Sequence, residues 1–285
     1  MRKWIVLAFA FLSVTPSHAG GPLEMRPLPS PGAKPQIIGG RVSDPAEWPA
    51  TFIFGKAEEK FCTSTAIGPR AILTAAHCVD DGQEGTIFLP GGKSAGLKCS
   101  VHEAFTPCWP TAGQPDSVCP AGKSFSDDYA LCLASADLEL PVYESLLTSP
   151  GIINRGEEVL LTGFGCNQSG GSDGGFGVLF EGETTVTKLP SQQTTLPRRN
   201  YVETSGGAAA CYGDSGGASY AFLDPNKRVR AVFGVNSRGT MQEGGWSLLS
   251  VTFTSDFVDW AQRWSHDKAA AICGLPESAA APCRN

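Results

Sequence analysis

The chain is 285 residues long, 41% hydrophobic and 18% charged, with 22 Lys and Arg against 28 Asp and Glu and a formal net charge of −6. That length and apolar content allow one sizeable core. Arg2, Lys3, Arg26 and Lys34 precede Ile37 against only Glu24, so the remainder is more acidic still, and an acidic chain without basic clusters argues against nucleic acid or an anionic membrane as partner.

In chain order, Met1, Arg2 and Lys3 are a short cationic start, residues 4–12 are apolar, and Ser17, His18 and Ala19 end on small residues. This reads as an export signal over residues 1–19. The apolar run is about half of what a bilayer requires, and no later segment approaches ~18 uninterrupted apolar residues. The mature chain is therefore expected to be soluble and either secreted or periplasmic. All ten cysteines follow the signal, and an even number in an exported chain predicts disulfides. Residues 20–36 are rich in Pro and Gly without periodicity and read as a flexible pro-segment or linker. From Ile37 onward, short apolar runs at 51–54, 71–74, 86–89, 159–162, 229–235 and 247–253 are broken by Gly, Pro, Asp or Ser. Strands without intervening helices predict a sandwich or barrel. Residues 169–175 are Gly- and Ser-rich and read as a mobile loop. Near the end, Phe257, Val258, Ala261 and Trp264 fall at helical spacing and predict a helix over 255–272.

The stretch Cys211-Tyr212-Gly213-Asp214-Ser215-Gly216-Gly217 carries the chemistry. Glycines on both sides allow positive-φ backbone that lifts Ser215 and turns consecutive N–H groups into one concavity suited to an oxyanion. By itself the same composition also describes an ordinary surface turn. A serine nucleophile needs a base, and the mature chain has three histidines. His102 reads as mid-strand and His266 as the polar side of the last helix, both as solvated surface histidines. His77 ends an apolar strand and is followed by Cys78, so it is the candidate base. The base needs an orienting acid, which Asp128 offers just before an apolar strand, while Asp127 is expected to alternate outward into solvent.

Ile37-Ile38-Gly39-Gly40, then Thr74-Ala75-Ala76-His77-Cys78, Asp128-Tyr129-Ala130-Leu131 and Gly213-Asp214-Ser215-Gly216-Gly217 occur in that order. Together they resemble the trypsin/chymotrypsin family of serine proteases, from Ile37 to near Ile272. The resemblance implies an all-β fold of two six-stranded antiparallel β-barrels with a C-terminal α-helix, a protease domain over 37–285, and no cofactor or metal. It implies His77, Asp128 and Ser215 as a catalytic triad, an oxyanion hole from the N–H groups of Gly213 and Ser215, and a serine endopeptidase acting on protein or peptide substrates. It also implies a precursor switched on by an activating protease, whose cut before Ile37 frees an ammonium to pair with Asp214. Gln36 departs from the Arg or Lys usual at such a cut, and Pro35 follows Lys34.

Five disulfides follow from the same resemblance: Cys62 with Cys78, Cys99 with Cys132, Cys108 with Cys119 stapling a long loop over the cleft, Cys166 with Cys211, and Cys273 with Cys283. Gln242 stands where the family's usual partner of Cys211 would be. A metal reading is weak, because there is no Cys-x-x-Cys pair and few histidines. The substrate pocket is expected from Ala209, Ala210, Ser237, Arg238, Gly239 and Leu249. Ala209 replaces the acid of trypsin-like members, Arg238 the usual Trp, and Leu249 a usual Gly, so small or aliphatic side chains are expected before the scissile bond, with Glu243 as a competing charge from the far wall. Two other readings stay open: a catalytically impaired, protease-like binding or scaffold protein, and an esterase using the same triad.

Overall fold

The structure is a computed structural model that describes residues 23–27, 37–56, 60–109, 119–166, 177–193, 198–276 and 283–284. The expected signal over 1–19, most of segment 20–36 and the loop at 169–175 lie outside these residues.

The first half of the chain runs β1 (Leu23–Arg26), β2 (Arg41–Val42), β3 (Thr51–Lys56), β4 (Lys60–Ala66), β5 (Ala71–Thr74), β6 (Glu84–Phe88), β7 (Ser94–Val101) and β8 (Ala130–Ala134). The second half runs β9 (Glu158–Gly163), β10 (Phe180–Lys188), β11 (Tyr201–Ser205), β12 (Ala218–Phe222), β13 (Arg230–Gly239), β14 (Ser247–Val251) and the helix α1 (Ser255–Lys268). The six apolar runs expected as strands fall in β3, β5, β6, β9, β13 and β14.

The strands form two barrels. The first closes in the order β1-β3-β4-β5-β8-β7-β6. The second runs β11-β14-β13-β12-β9-β10, closed by pairing of β10 with β11, and β2 adds to β10 outside that ring. Alternation explains the half-polar strands: in β7, Ala95, Leu97 and Cys99 point into the first core while the residues between them face outward. Strands β5 and β14 are buried along their whole length: Ala71 and Leu73 of β5 pack with the helix and Ile72 in the first core, while Leu249 and Val251 of β14 lie in the second core and Leu248 packs with Phe125 and Tyr201.

The two barrels and the C-terminal helix are those expected, with one addition. Leu23–Arg26, expected within a flexible segment, form a seventh strand of the first barrel. Leu23 and Met25 are fully buried, so a two-residue apolar alternation anchors this part of an otherwise Pro- and Gly-rich stretch.

Helix α1 begins where the Thr254 hydroxyl accepts the Phe257 N–H and ends where Ala269 turns left-handed at φ 46°. It is therefore shorter than the expected 255–272, and it buries Phe257, Trp260, Ala261 and Trp264 against the core between the barrels. The five disulfides are Cys62–Cys78, Cys99–Cys132, Cys108–Cys119, Cys166–Cys211 and Cys273–Cys283, the pairs that the resemblance implies.

Candidate active site

The turn that carries Ser215 is built by glycines where no other residue fits. Gly213 and Gly216 sit at φ 96° and 81°, and a Cβ on Gly216 would meet Thr74 Oγ1 at 2.2 Å and the Thr63 carbonyl at 2.3 Å. Strand β4 of the first barrel holds this turn of the second: Thr63 N donates to the Ser215 carbonyl at 2.7 Å, and Thr63 Oγ1 donates to the Gly213 carbonyl at 2.8 Å. Asn236 supports it from the other side, accepting from Gly216 N at 2.9 Å. Ser215 is half-buried, and among the described residues neither Gly213 N–H nor Ser215 N–H donates a hydrogen bond, which leaves both donors to a ligand.

His77 and Asp128 belong to the first barrel. Strand β5 delivers Thr74, and a short 3-10 turn over Ala76–Cys78 then turns His77 toward the seam, pinned by Cys62–Cys78. Asp128 is fully buried and grips His77 twice: Oδ2 lies 2.7 Å from His77 Nδ1, and Oδ1 accepts the His77 backbone N–H at 2.9 Å. With Nδ1–H committed to the carboxylate, Nε2 is left as the basic nitrogen. The imidazole keeps 26% of its surface. Ser237, named from sequence only as a pocket residue, donates to Asp128 Oδ2 at 2.6 Å and lies 2.9 Å from the Tyr201 hydroxyl. Burial pushes the Tyr201 phenol well above its ordinary pKa, so it stays protonated, and its one proton faces two acceptors at 2.9 Å, the Phe125 carbonyl and Ser237 Oγ.

Asp214 is fully buried between Gly163 and Gly165, where added Cβ atoms would come within 2.3 and 2.5 Å of its side chain. Its carboxyl accepts Gly165 N at 2.7 Å and Cys211 N at 2.8 Å, and among the described residues no cation pairs with it. Burial pushes its pKa up to about 7, against the downward pull of the two N–H donors. Ile37 is buried in the second core, and the adjacent Ile38 pairs with Ala209. Ile37 and Ile38 are thus packed against the segment that leads into the Ser215 turn.

Among the expected pocket residues, the slot between Gly239 and Ala210 is shut. Ala209 and Ala210 are buried, and Gly239 lies so near that its Cβ would meet the Ala210 carbonyl at 2.3 Å. Leu249, expected as a wall, packs in the second core with Ile37, Ala208 and Phe233 and has no exposed surface. Arg238 lies 3.9 Å above the Trp109 ring, which is edge-on to His77 at 6.4 Å between centroids, so the start of the Cys108–Cys119 loop borders the cleft. Glu243 is exposed beside Gly39, with its Cγ 3.7 Å from where a Gly39 Cβ would stand.

Two expectations from sequence fail here. Asp127 is not solvated: it is fully buried and takes hydrogen bonds from Asn200 Nδ2 and, at 3.4 Å, from Arg199 Nη2. Both aspartates precede β8 in a turn, where strand alternation does not apply. His102 is not a surface histidine: it follows the end of β7 and is buried edge-on to Tyr129 and Trp260, with ring centroids 5.7 and 4.9 Å away. Burial depresses its imidazole pKa, against the pull of Asp127, and burial raises that of Asp127. His266 is exposed, as expected. Cys62, His77 and Cys78 are close enough together to hold a metal, but both sulfurs are spent in one disulfide, so no thiolate remains to bind it.

A family model described as Trypsin matches residues 37–261. The chain is 29% identical over 215 residues to the Suppressor of tumorigenicity 14 protein homolog of Bos taurus, covering 64% of this chain and 23% of that protein. It is 26% identical over 250 residues to Serine protease SP24D of Anopheles gambiae, covering 85% of each. A shorter match, 30% over 74 residues, covers 23% of this chain and 7% of Transmembrane protease serine 9 of Rattus norvegicus. The chain thus spans less than a quarter of the bovine relative's length.

Proposed function

The chain belongs to the trypsin family of serine proteases, and from that premise we propose that it is an exported serine endopeptidase made as an inactive precursor. Ser215 Oγ attacks the scissile carbonyl while His77 Nε2 takes its proton, and the N–H groups of Gly213 and Ser215 hold the oxyanion of the tetrahedral intermediate. His77 then protonates the leaving amine. Water, deprotonated by the same imidazole, releases the acyl group from Ser215. Asp128 fixes the tautomer and steadies the imidazolium, and Ser237 positions Asp128.

The observation that carries this reading is the doubly hydrogen-bonded His77–Asp128 pair, set in the same seam in which Thr63 docks the Ser215 turn. Two cleft-forming parts from different barrels are joined there by direct bonds. Export is supported by five disulfides and by the signal-like residues 1–19. Among the described residues, no helix is long and apolar enough to cross a membrane.

The precursor reading is supported by three features of the uncut chain. Asp214 has a buried carboxyl and no cation among the described residues, the slot between Gly239 and Ala210 is shut, and Ile37 sits at φ 142°, costly for a β-branched residue. Hydrolysis before Ile37 removes the carbonyl that makes this torsion costly and supplies an ammonium to Asp214. With Ala209 at its base and the nearby Glu243 exposed, the opened slot accepts Ala, Val or Leu, whereas a cation would lack a buried partner among the described residues.

The shut slot also favours a second reading, a protease-like binding protein without turnover. Peptide hydrolysis by purified chain cut before Ile37, lost in Ser215→Ala, separates the two. A cut, folded chain that hydrolyses no peptide in a substrate library selects the second.

A further inference from the structure

Strand β1 lies in the seam between β3 and β6. It pairs antiparallel with β3, Leu23 opposite Lys56 and Met25 opposite Phe54, and parallel with β6, Leu23 opposite Gly85 and Met25 opposite Ile87. In the closed ring β3 and β6 are joined through β1, so without it both would present an unpaired edge.

The fit is specific. Leu23 and Met25 fill the first core with Phe52, Phe54, Ile87 and Leu97, and Ser64 Oγ lies 3.6 Å from Met25 Sδ. Their neighbours Glu24 and Arg26 face outward and pair with each other at 2.6 Å, with the Arg26 guanidinium 4.1 Å above the Phe88 ring. Gly85 is built for this strand, since a Cβ there would lie 2.3 Å from the Leu23 carbonyl oxygen and 2.6 Å from Leu23 Cβ. Residues 20–36 contain no cysteine, so no disulfide from that stretch ties it to the rest of the chain.

We propose that the segment bearing Leu23–Arg26 is a permanent stave of the first barrel, and that the cut enzyme is a non-covalent two-chain protein. The inference rests on the cut before Ile37 proposed above. The β3–β6 seam of the cut enzyme is then a peptide-binding groove whose occupant is the chain's own N-terminal peptide. It recognises an extended strand by main-chain bonds on both edges and by two inward apolar side chains, two positions apart. The groove reaches the catalytic seam through β4: Ser64 contacts Met25, and the preceding Thr63 holds both the Ser215 and the Gly213 carbonyls. Loss of the peptide should therefore lower both thermal stability and turnover.

The test uses the full exported chain carrying a site-specific protease recognition sequence in place of residues 32–36, cut so that Ile37 becomes a new N-terminus. Native mass spectrometry and gel filtration should find the N-terminal peptide bound one-to-one to the body, leaving it only in denaturant. Met25→Asp should release the peptide on cutting, whereas Glu24→Ala should retain it. If Met25→Asp prevents folding, gel filtration in mild urea strips the peptide from the wild-type body instead. Adding back a synthetic peptide of residues 20–31 should then restore melting temperature and turnover, and the same peptide with Met25→Asp should restore neither. A cut chain that sheds the peptide in native buffer with unchanged melting temperature overturns the proposal. Retention is read by mass, so a cut chain that keeps the peptide but gains no activity would count against the activation reading and leave the stave in place.

Discussion

Replacing Asp214 by Asn in the uncut chain should flatten the decline of stability between about pH 4 and pH 7. The wild-type carboxyl, walled in by Gly163 and Gly165 and facing no cation among the described residues, is pushed from its ordinary 3.8 up to about 7. In the unfolded chain the proton leaves near the ordinary value, so between the two the folded state holds one proton more. Stability from this group is therefore complete below about pH 4 and is lost as pH climbs through about 7, above which the loss levels off. At about 1.4 kcal/mol per unit over roughly three units, the loss is about 4 kcal/mol. Urea unfolding at steps from pH 4 to pH 8 measures it, with Ser215→Ala in both chains to prevent self-digestion. The Asn side chain satisfies only one of the Gly165 and Cys211 N–H groups, which lowers its overall stability by about 1–3 kcal/mol, so the slope is the readout and not the level. His102 and Asp127 titrate alike in both chains and cancel in the difference. Parallel curves for the two chains would refute the reasoning. In the cut chain the new ammonium should keep Asp214 charged and abolish this decline. Its own pKa, ordinarily about 7.7–8.0, is then raised, so its contribution is complete below that value and activity fades reversibly as pH climbs through the raised one.

In the cut chain, Ser215→Ala and His77→Ala should each remove nearly all peptide turnover, and Asp128→Asn should lower kcat by on the order of 10⁴ by presenting the wrong imidazole tautomer, all read by steady-state kinetics. Ser237→Ala removes a bond to a buried carboxylate and should cost about 1–3 kcal/mol in kcat/KM, with the fall in kcat and not in KM. A peptide library should give faster cleavage after Ala, Val or Leu than after Arg or Lys, and a profile led by Arg or Lys would instead implicate Glu243. Gly216→Ala forces a methyl against Thr74 and the Thr63 carbonyl and should destabilise the fold by several kcal/mol, of the order seen for overpacked or strained positions, measured as a lowered urea midpoint.

The Ser215 turn, the histidine before Cys78 and the acid before an apolar strand stood out as candidates because each is a local pattern. Glycines flank the serine, and the strands that deliver His77 and Asp128 read as apolar runs. Strands β4, β10 and β11 were not legible, because their Thr, Ser and Glu content looks like loop until a barrel supplies the inward face. Asp127 and His102 were misread for one reason: both lie just outside strands, in turns that fold polar groups under the barrel, and alternation gives no information there. The second role of Ser237 depends on a contact between residues 109 positions apart, which no local spacing encodes. Strand β1 was hidden by composition, since two inward apolar residues among prolines and glycines carry no periodic signal until the β3–β6 seam receives them.

The central claim, that cutting before Ile37 makes Ser215 a nucleophile activated by His77, is tested most directly by active-site titration. The cut chain is incubated with an organophosphonate and the adduct is mapped by peptide mass spectrometry. One phosphonyl group per molecule on Ser215, absent from the uncut chain and from His77→Ala, is the predicted result. A folded, cut protein that has Ile37 as a new N-terminus, retains the Leu23–Arg26 peptide and takes up no reagent on Ser215 would contradict it.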